Sequence, residues 1–338
     1  MMQISPETQL FIREHSSDDV RVLALQAKKY PDIDMPTAIT QIAGRKVAAE
    51  KIPSWWEIEK IWYPKHLSLE QCSSEITARY KARLLQGDSL TDLTGGFGID
   101  CSFLATGFKT ATYVERQEEL CEIAAHNFPI LNLNHINIKN EDGVTYLQAM
   151  SPVDCLFLDP ARRNEHGGKT VAISDCEPNV AELEELLLQK ANRVMIKLSP
   201  MLDLSLALKE LKQTQEVHIL SVNNECKELL ILLGQTSPTE ISIHCVNLST
   251  KGTQEEQHFV FTREQEQCSE CTYTDSLETY LYEPNASLLK AGAFRSIAAA
   301  YSVKKLHPNS HLYTSETQIE GFPGRTFRII TGMPMERI

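Results

Sequence analysis

Apolar residues recur at spacings of three and four through the first part of the chain, as in Val20, Leu23 and in Ile39, Ile42, Ala43, Val47. That period predicts amphipathic helices, with Pro31, Pro36 and Pro53 as breaks. Residues 1–85 therefore read as a helical N-terminal region. The segment Trp55-Trp56-Glu57-Ile58-Glu59-Lys60-Ile61-Trp62-Tyr63 is its aromatic-rich patch, and large aromatics there are expected to anchor a helix to a core.

From Ser89 the pattern changes to short β-type runs alternating with helix-period segments, the order of βαβ units around a parallel sheet. Six parallel strands are expected at residues 89–93, 110–115, 136–140, 153–159, 193–198 and 216–221, with helices near Asp100, Glu118, Val144, Val180 and Leu204. The next run, 228–233, follows after only Asn223-Asn224-Glu225-Cys226-Lys227. That is too short for a parallel crossover, so the run must pair antiparallel. The expected fold is α/β and Rossmann-like, a parallel sheet with one antiparallel terminal strand. A nicotinamide-binding doubly wound sheet would instead end all-parallel.

Two further β-type runs, 240–247 and 258–262, flank a polar segment and fit a second hairpin. This places the α/β domain at residues 86–265. From 278 the order is a strand at 280–282, a helix over 285–300, and strands at 311–314 and 325–330. Residues 275–338 are thus expected to form a small α+β unit resembling half of a ferredoxin-like fold.

The formal net charge of −12 argues against a broad phosphate-covering face, so any nucleic-acid contact must be local. The nine cysteines are mostly scattered singly, which suits a reducing compartment, and a cytoplasmic location is expected. Charged residues interrupt the first nineteen positions, so no secretory leader is expected, and no run is long and apolar enough for a membrane span. Cys268 and Cys271 have the spacing of half a zinc knuckle, but no second pair follows, and no metal is expected.

The strongest chemical signal is Asp92-Leu93-Thr94-Gly95-Gly96-Phe97-Gly98-Ile99-Asp100, a strand running into a glycine-rich turn and a helix. Glycines let the backbone approach a ligand closely, and Asp92 at the strand end is placed to hold a cationic amino group. A dinucleotide site wants a third glycine where Cys101 stands, so the methionine end of S-adenosyl-L-methionine fits better than a pyrophosphate. The expected cofactor contacts are Asp92, Thr94, Gly95, Gly96, Phe97, Gly98 and Asp100, then Glu115 at the second strand end for the ribose hydroxyls. Asp142, at the third, is expected at the adenine amino group, with a helix cap as its alternative role.

The fourth strand ends in Asp159-Pro160-Ala161-Arg162-Arg163. In methyltransferases acting on ring or exocyclic nitrogens, an Asp/Asn-Pro-Pro-aromatic turn accepts hydrogen bonds from the target amine and stacks on its base. Here Asp159 and Pro160 are retained, and Ala161 and Arg162 replace the second proline and the aromatic. Asp159 and Pro160 are expected to be catalytic. Arg162 is expected either to stack on or grip the substrate or to be a solvated loop charge. Lys197, inside an apolar strand, is expected to join the site, with Asp159 as its partner, or to be a snorkelling structural lysine. The glycine-containing loop at His166-Gly167-Gly168-Lys169 has the length of an active-site lid. Gln71-Cys72-Ser73-Ser74-Glu75 carries a helix-capping signal.

With these residues the chain resembles a bacterial family of class I methyltransferases that carry a THUMP-like C-terminal domain. The resemblance rests on Gln71-Cys72-Ser73-Ser74-Glu75, Asp92 to Asp100, Asp159-Pro160-Ala161-Arg162-Arg163, Tyr282-Glu283-Pro284-Asn285 and Phe322-Pro323-Gly324-Arg325. It implies the methyltransferase fold, S-adenosyl-L-methionine as cofactor and RNA as substrate. Such relatives continue past the Phe-Pro-Gly-Arg motif into the THUMP-like module, which is expected to be absent or truncated here. The expected activity is methylation of an RNA-base nitrogen. Methylation of protein or a small molecule, or a non-catalytic cofactor-binding module, are the alternatives.

Overall fold

The computed structural model describes residues 4–162, 172–236, 238–250 and 256–330. Arg163, the loop at 166–169 and residues 251–255 of the polar segment lie outside the described residues. The strands are β1 (Ser89–Asp92), β2 (Thr110–Glu115), β3 (Ile136–Asn140), β4 (Val153–Leu158), β5 (Ala161–Arg162), β6 (Cys176–Glu177), β7 (Ala191–Leu198), β8 (Thr214–Val222), β9 (Glu225–Gly234), β10 (Ser242–Leu248), β11 (Gln257–Phe261), β12 (Tyr280–Pro284), β13 (Lys304–Lys305), β14 (Tyr313–Ser315) and β15 (Gly324–Arg328). The large sheet has the order β11-β10-β8-β9-β7-β4-β1-β2-β3. The chain divides into two compact units, Met1–Asp159 with Glu185–Val194, and Pro160–Glu184 with Met195–Ile338.

In the first unit β1 runs parallel to β2, with Ser89 opposite Thr110, and parallel to β4, with Leu90 opposite Cys155. β3 continues the parallel set beside β2. Cys155, Leu156, Phe157 and Leu158 of β4 are all buried. An unbroken apolar run is what a strand covered on both faces requires, and it is why period-two alternation is missing here.

The N-terminal region is helical as expected, and three of its helices start on side-chain caps. Ser5, Asp19 and Asp34 each accept a hydrogen bond from a backbone N–H in the following turn. Pro36, expected to break a helix, sits in the first turn of Met35–Lys51. Its missing N–H has no intrahelical partner to lose there, so it helps to start the helix. Trp55 is buried edge-on against Phe97, with ring centroids 5.2 Å apart, which is the anchoring role expected of the aromatic patch. The Trp62 ring stacks on His126 at 3.6 Å. The Trp62 N–H donates to Asn127 Oδ1, and Asn127 Nδ2 donates back to the Trp62 carbonyl, each at 2.9 Å. Buried Asn127 thus ties the helical lead to the helix Glu118–Ile130.

In the second unit β8 and β9 form the antiparallel hairpin, turned by Asn223 and Asn224 at positive φ. Asparagine tolerates that region better than other side-chain-bearing residues, and the turn matches strand twist. The second hairpin, β10 and β11, does not stand apart. β10 lies parallel to β8, with His244 opposite His218, and β11 closes antiparallel on β10, extending the sheet.

The C-terminal antiparallel sheet has the order β13-β14-β12-β15 and a core containing Tyr282, Tyr313 and Phe322. The single helix expected over 285–300 is two, Ala286–Ala291 and Arg295–Tyr301. Gly292, at φ +76°, ends the first in the left-handed conformation that a glycine adopts at little cost. Among the described residues no helix is long and apolar enough to cross a membrane.

Candidate active site

The turn after β1 is built by close backbone approach. The Gly95 N–H donates to the Val114 carbonyl at 2.8 Å, and a Cβ at Gly95 would stand 2.3 Å from the Tyr113 ring. Tyr113 Oη donates to the Gly96 carbonyl at 2.5 Å, so the ring that excludes a side chain at one glycine also fastens the next. Gly98, at φ +86°, then opens the helix Ile99–Ala105 from a conformation that strains other residues.

Carboxylates converge on this turn. Asp92 is 1% exposed, and its Oδ1 accepts from the Thr94 N–H at 2.9 Å. Its Oδ2 is buried with no hydrogen-bond partner among the described residues. Thr94 Oγ1 accepts from the Asp159 N–H at 2.6 Å, which ties the end of β4 to the turn. Glu115, at the end of β2, accepts from the Gly96 N–H at 2.9 Å through Oε2 and from the Gln117 N–H at 2.8 Å through Oε1. Burial pushes the Asp92 carboxyl well above the usual carboxylate range. The Thr94 hydrogen bond opposes that rise, while the negative charges of Asp100, Asp159 and Glu115 add to it.

Asp100 is held from the other side. Its carboxylate pairs with Lys81 at 2.9 Å and accepts from Ser73 Oγ at 2.7 Å, and Lys81 Nζ also donates to Ser73 Oγ at 2.8 Å. Lys81 is fully buried, so this pair is a desolvated one whose members depend on each other. Ser73 therefore does more than signal a helix start. Ser74, the residue before the helix Glu75–Ala82, makes no side-chain cap bond to it.

The remaining expected residues fall in distinct places. Asp142 is exposed and caps the helix Gly143–Ala149, its Oδ1 accepting from the Val144 and Thr145 N–H groups at 3.1 and 3.0 Å. The Phe97 ring is buried against Trp55 and Tyr63, so its side chain packs a core while its backbone belongs to the turn. Asp159 is half-buried and the following Pro160 is buried. Arg162 lies on β5, which pairs antiparallel with β6. Lys197 lies within β7 and is 8% exposed.

The structure thus brings Asp92, Thr94, the glycine turn, Asp100, Glu115 and Asp159 together at the strand ends of the first unit. Sequence reasoning passed over Lys81 and Tyr113. A lysine inside the apolar face of a short helix and a tyrosine on the strand next to a paired glycine were the available signals. A buried carboxylate oxygen without a donor, among three more acids, is chemically suited to an ammonium or sulfonium cation.

A family model for a ferredoxin-like domain matches residues 280–323. Among curated proteins none matches the sequence. A crystal structure from Porphyromonas gingivalis W83, provisionally described as a methyltransferase, is 35% identical with a TM-score of 0.86, covering 99% of this chain and 85% of that one. An rRNA methylase from Streptococcus thermophilus is 14% identical with a TM-score of 0.34, covering 47% of this chain and 93% of that one. A Streptococcus mutans protein in complex with SAH, also provisionally described as a methyltransferase, is 14% identical with a TM-score of 0.34, over 47% and 96% of the two chains. The weight rests on the Porphyromonas gingivalis structure, since the other two scores are too low to carry an argument.

Proposed function

This chain belongs to the family of the Porphyromonas gingivalis protein, and from that premise we propose that it is an S-adenosyl-L-methionine-dependent methyltransferase acting on a nitrogen of an RNA base. The observation that carries the cofactor reading is Asp92, whose Oδ2 is buried at the end of β1 without a donor among the described residues. A cationic amino group supplies the missing donor and the missing charge. Glu115 would accept from the ribose hydroxyls with the lone pairs that its bonds to Gly96 and Gln117 leave over. Asp142 would take the adenine amino group while keeping its helix-capping bonds.

When bound, the cofactor supplies an electrophilic methyl group on its sulfonium. The protein's part is positioning, which in well-oriented reactions is worth on the order of 7 to 11 kcal/mol of the barrier. The Asp159 carboxylate and the Pro160 carbonyl would accept hydrogen bonds from the target amine and aim its lone pair. The Asp159 N–H bond to Thr94 keeps this residue in register with the turn that holds Asp92. A paired base would have to be unpaired or flipped to be reached.

The net charge of −12 favours a second reading, in which the acceptor is a protein or a small molecule. Two measurements separate the possibilities. Calorimetry should show binding of S-adenosylhomocysteine and none of NAD, and the absence of homocysteine-nucleoside binding would sink the proposal. Tritiated-methyl transfer into RNA, protein and metabolite fractions should label RNA, and Asp159→Ala should lose about a hundredfold or more of that rate. Label that persists unchanged in the variant would remove Asp159 from the mechanism, and label in protein alone would select the second reading.

A further inference from the structure

Apart from the acids at the strand ends, the second unit gathers Glu216 and His218 on β8, His244 on β10 and His258 on β11. His244 stands directly opposite His218, and His258 pairs with Val246, two residues along from His244. Because strand side chains alternate with a period of two, this register puts the three histidines on one face. Their contacts agree. The His218 and His244 rings stack at 4.2 Å with 17° between planes, and the His244 and His258 ring centroids lie 5.3 Å apart. His244 Nδ1 is 3.1 Å from His258 Nε2, and His218 Nε2 is 3.2 Å from Glu216 Oε2.

From this placement we infer that Glu216, His218 and His244, with His258 at the fourth position, form a site for a borderline transition cation of the Zn2+ class. Three arguments carry it. The ligand atoms of Glu216, His218 and His244 all lie within 4.8 Å of one another. In a tetrahedral zinc site with bonds of about 2.0 to 2.1 Å, ligand atoms stand about 3.3 Å apart. The His244–His258 and His218–Glu216 separations are already near that value, so modest side-chain rotation closes the shell.

The donor set selects the ion. Imidazole nitrogens with one carboxylate suit Zn2+, Co2+ or Ni2+, whereas Ca2+ and Mg2+ demand oxygen ligands. His218 is 2% exposed on β8, so one ligand is fixed by packing, which is the preorganisation a structural site needs. The ligands come from three consecutive strands of the sheet, so the ion would pin the β10–β11 hairpin, the outer edge, to β8. An edge strand fastened in this way is less available to slip or to pair with another chain. No bond is made or broken beyond coordination. Metal binding would displace the ring N–H protons that lie between these groups.

The test uses the untagged full-length chain, stripped with chelator and titrated with Co2+, then competed with Zn2+. One Co2+ per chain is expected, with visible d–d bands of low-coordinate nitrogen and oxygen ligation and no intense thiolate charge-transfer band. Zn2+ should raise the melting temperature. His244→Asn should weaken binding by about tenfold to a hundredfold or more. The exposed His258→Gln provides the same measurement on a variant whose folding is not at stake, with circular dichroism checking both. Absence of stoichiometric binding, undiminished binding in both variants, or a thiolate band pointing to Cys268 and Cys271 would each overturn the inference.

Discussion

At Asp92 a carboxylate is buried beside other acids, and its titration links stability to pH. Its carboxyl is raised well above the ordinary value in the folded chain, chiefly by burial. The folded state therefore holds this proton more tightly than the unfolded one. The resulting stability is fully present below the unfolded value and is lost as pH rises through the raised value. Asp92→Asn should remove that decline, so thermal melts across a pH series should show the variant at least as stable as the parent near neutrality. S-adenosylhomocysteine should bind it about 10- to 100-fold more weakly, since a charge-assisted hydrogen bond is worth about 1.5 to 3 kcal/mol. If Asp92 holds the cofactor's ammonium group, binding requires the ionised form, so affinity of the parent should fall as pH is lowered through the raised value, by at most about tenfold per pH unit. A variant that binds as tightly as the parent would remove Asp92 from the site.

Asp92 and Glu115 were legible as single residues because an acid at the end of a strand is visible once the strand is. Lys81 was not, because its meaning comes from Asp100 and Ser73, which share no local pattern with it. The place of the Phe97 ring was hidden for a related reason. It lies inside the glycine turn, but its ring serves the core around Trp55.

At the scale of elements, the helix Glu75–Ala82 is held to the helix Ile99–Ala105 by the Lys81–Asp100 pair. Lys81→Met should destabilise the chain by about 3 to 5 kcal/mol, because Asp100 would be left buried and uncompensated. Chemical denaturation measures this. Lys81→Met combined with Asp100→Asn should recover part of the loss, and equal destabilisation of single and double variants would show that the charge is not the cause. The longer strands were readable from their β-type runs, with observed bounds within a few residues of the expected ones, whereas the two-residue strands β5, β6 and β13 carry too short a run to be read. The chain over 285–300 forms two helices where its pattern predicts one. An isolated glycine inside a helical pattern is tolerated often enough that only the chain's path past Gly292 shows the stop.

Taken whole, the chain carries a net charge of −12, which limits how it can hold an anionic polymer. If RNA is the acceptor, binding should rest on few phosphate contacts. The slope of log affinity against log salt should then be shallow, about −1 to −2, at about −0.7 per phosphate for a single strand. A slope steeper than about −4 in fluorescence titrations would indicate a basic face that the composition argues against.

The sequence by itself determined the type and order of the longer strands and of the helices between them up to residue 265, the short Asn223–Asn224 link that forces an antiparallel strand, and the acids that close β1, β2 and β4. Hydrophobic period, turn chemistry and chain length act locally, so they can be read one segment at a time. Only the tertiary structure decided that β10 lies parallel beside β8, that Asp92 keeps a buried oxygen without a donor among the described residues, and that His218, His244 and His258 share one face. Those are matters of pairing and burial between segments far apart in the chain, and no local pattern carries them.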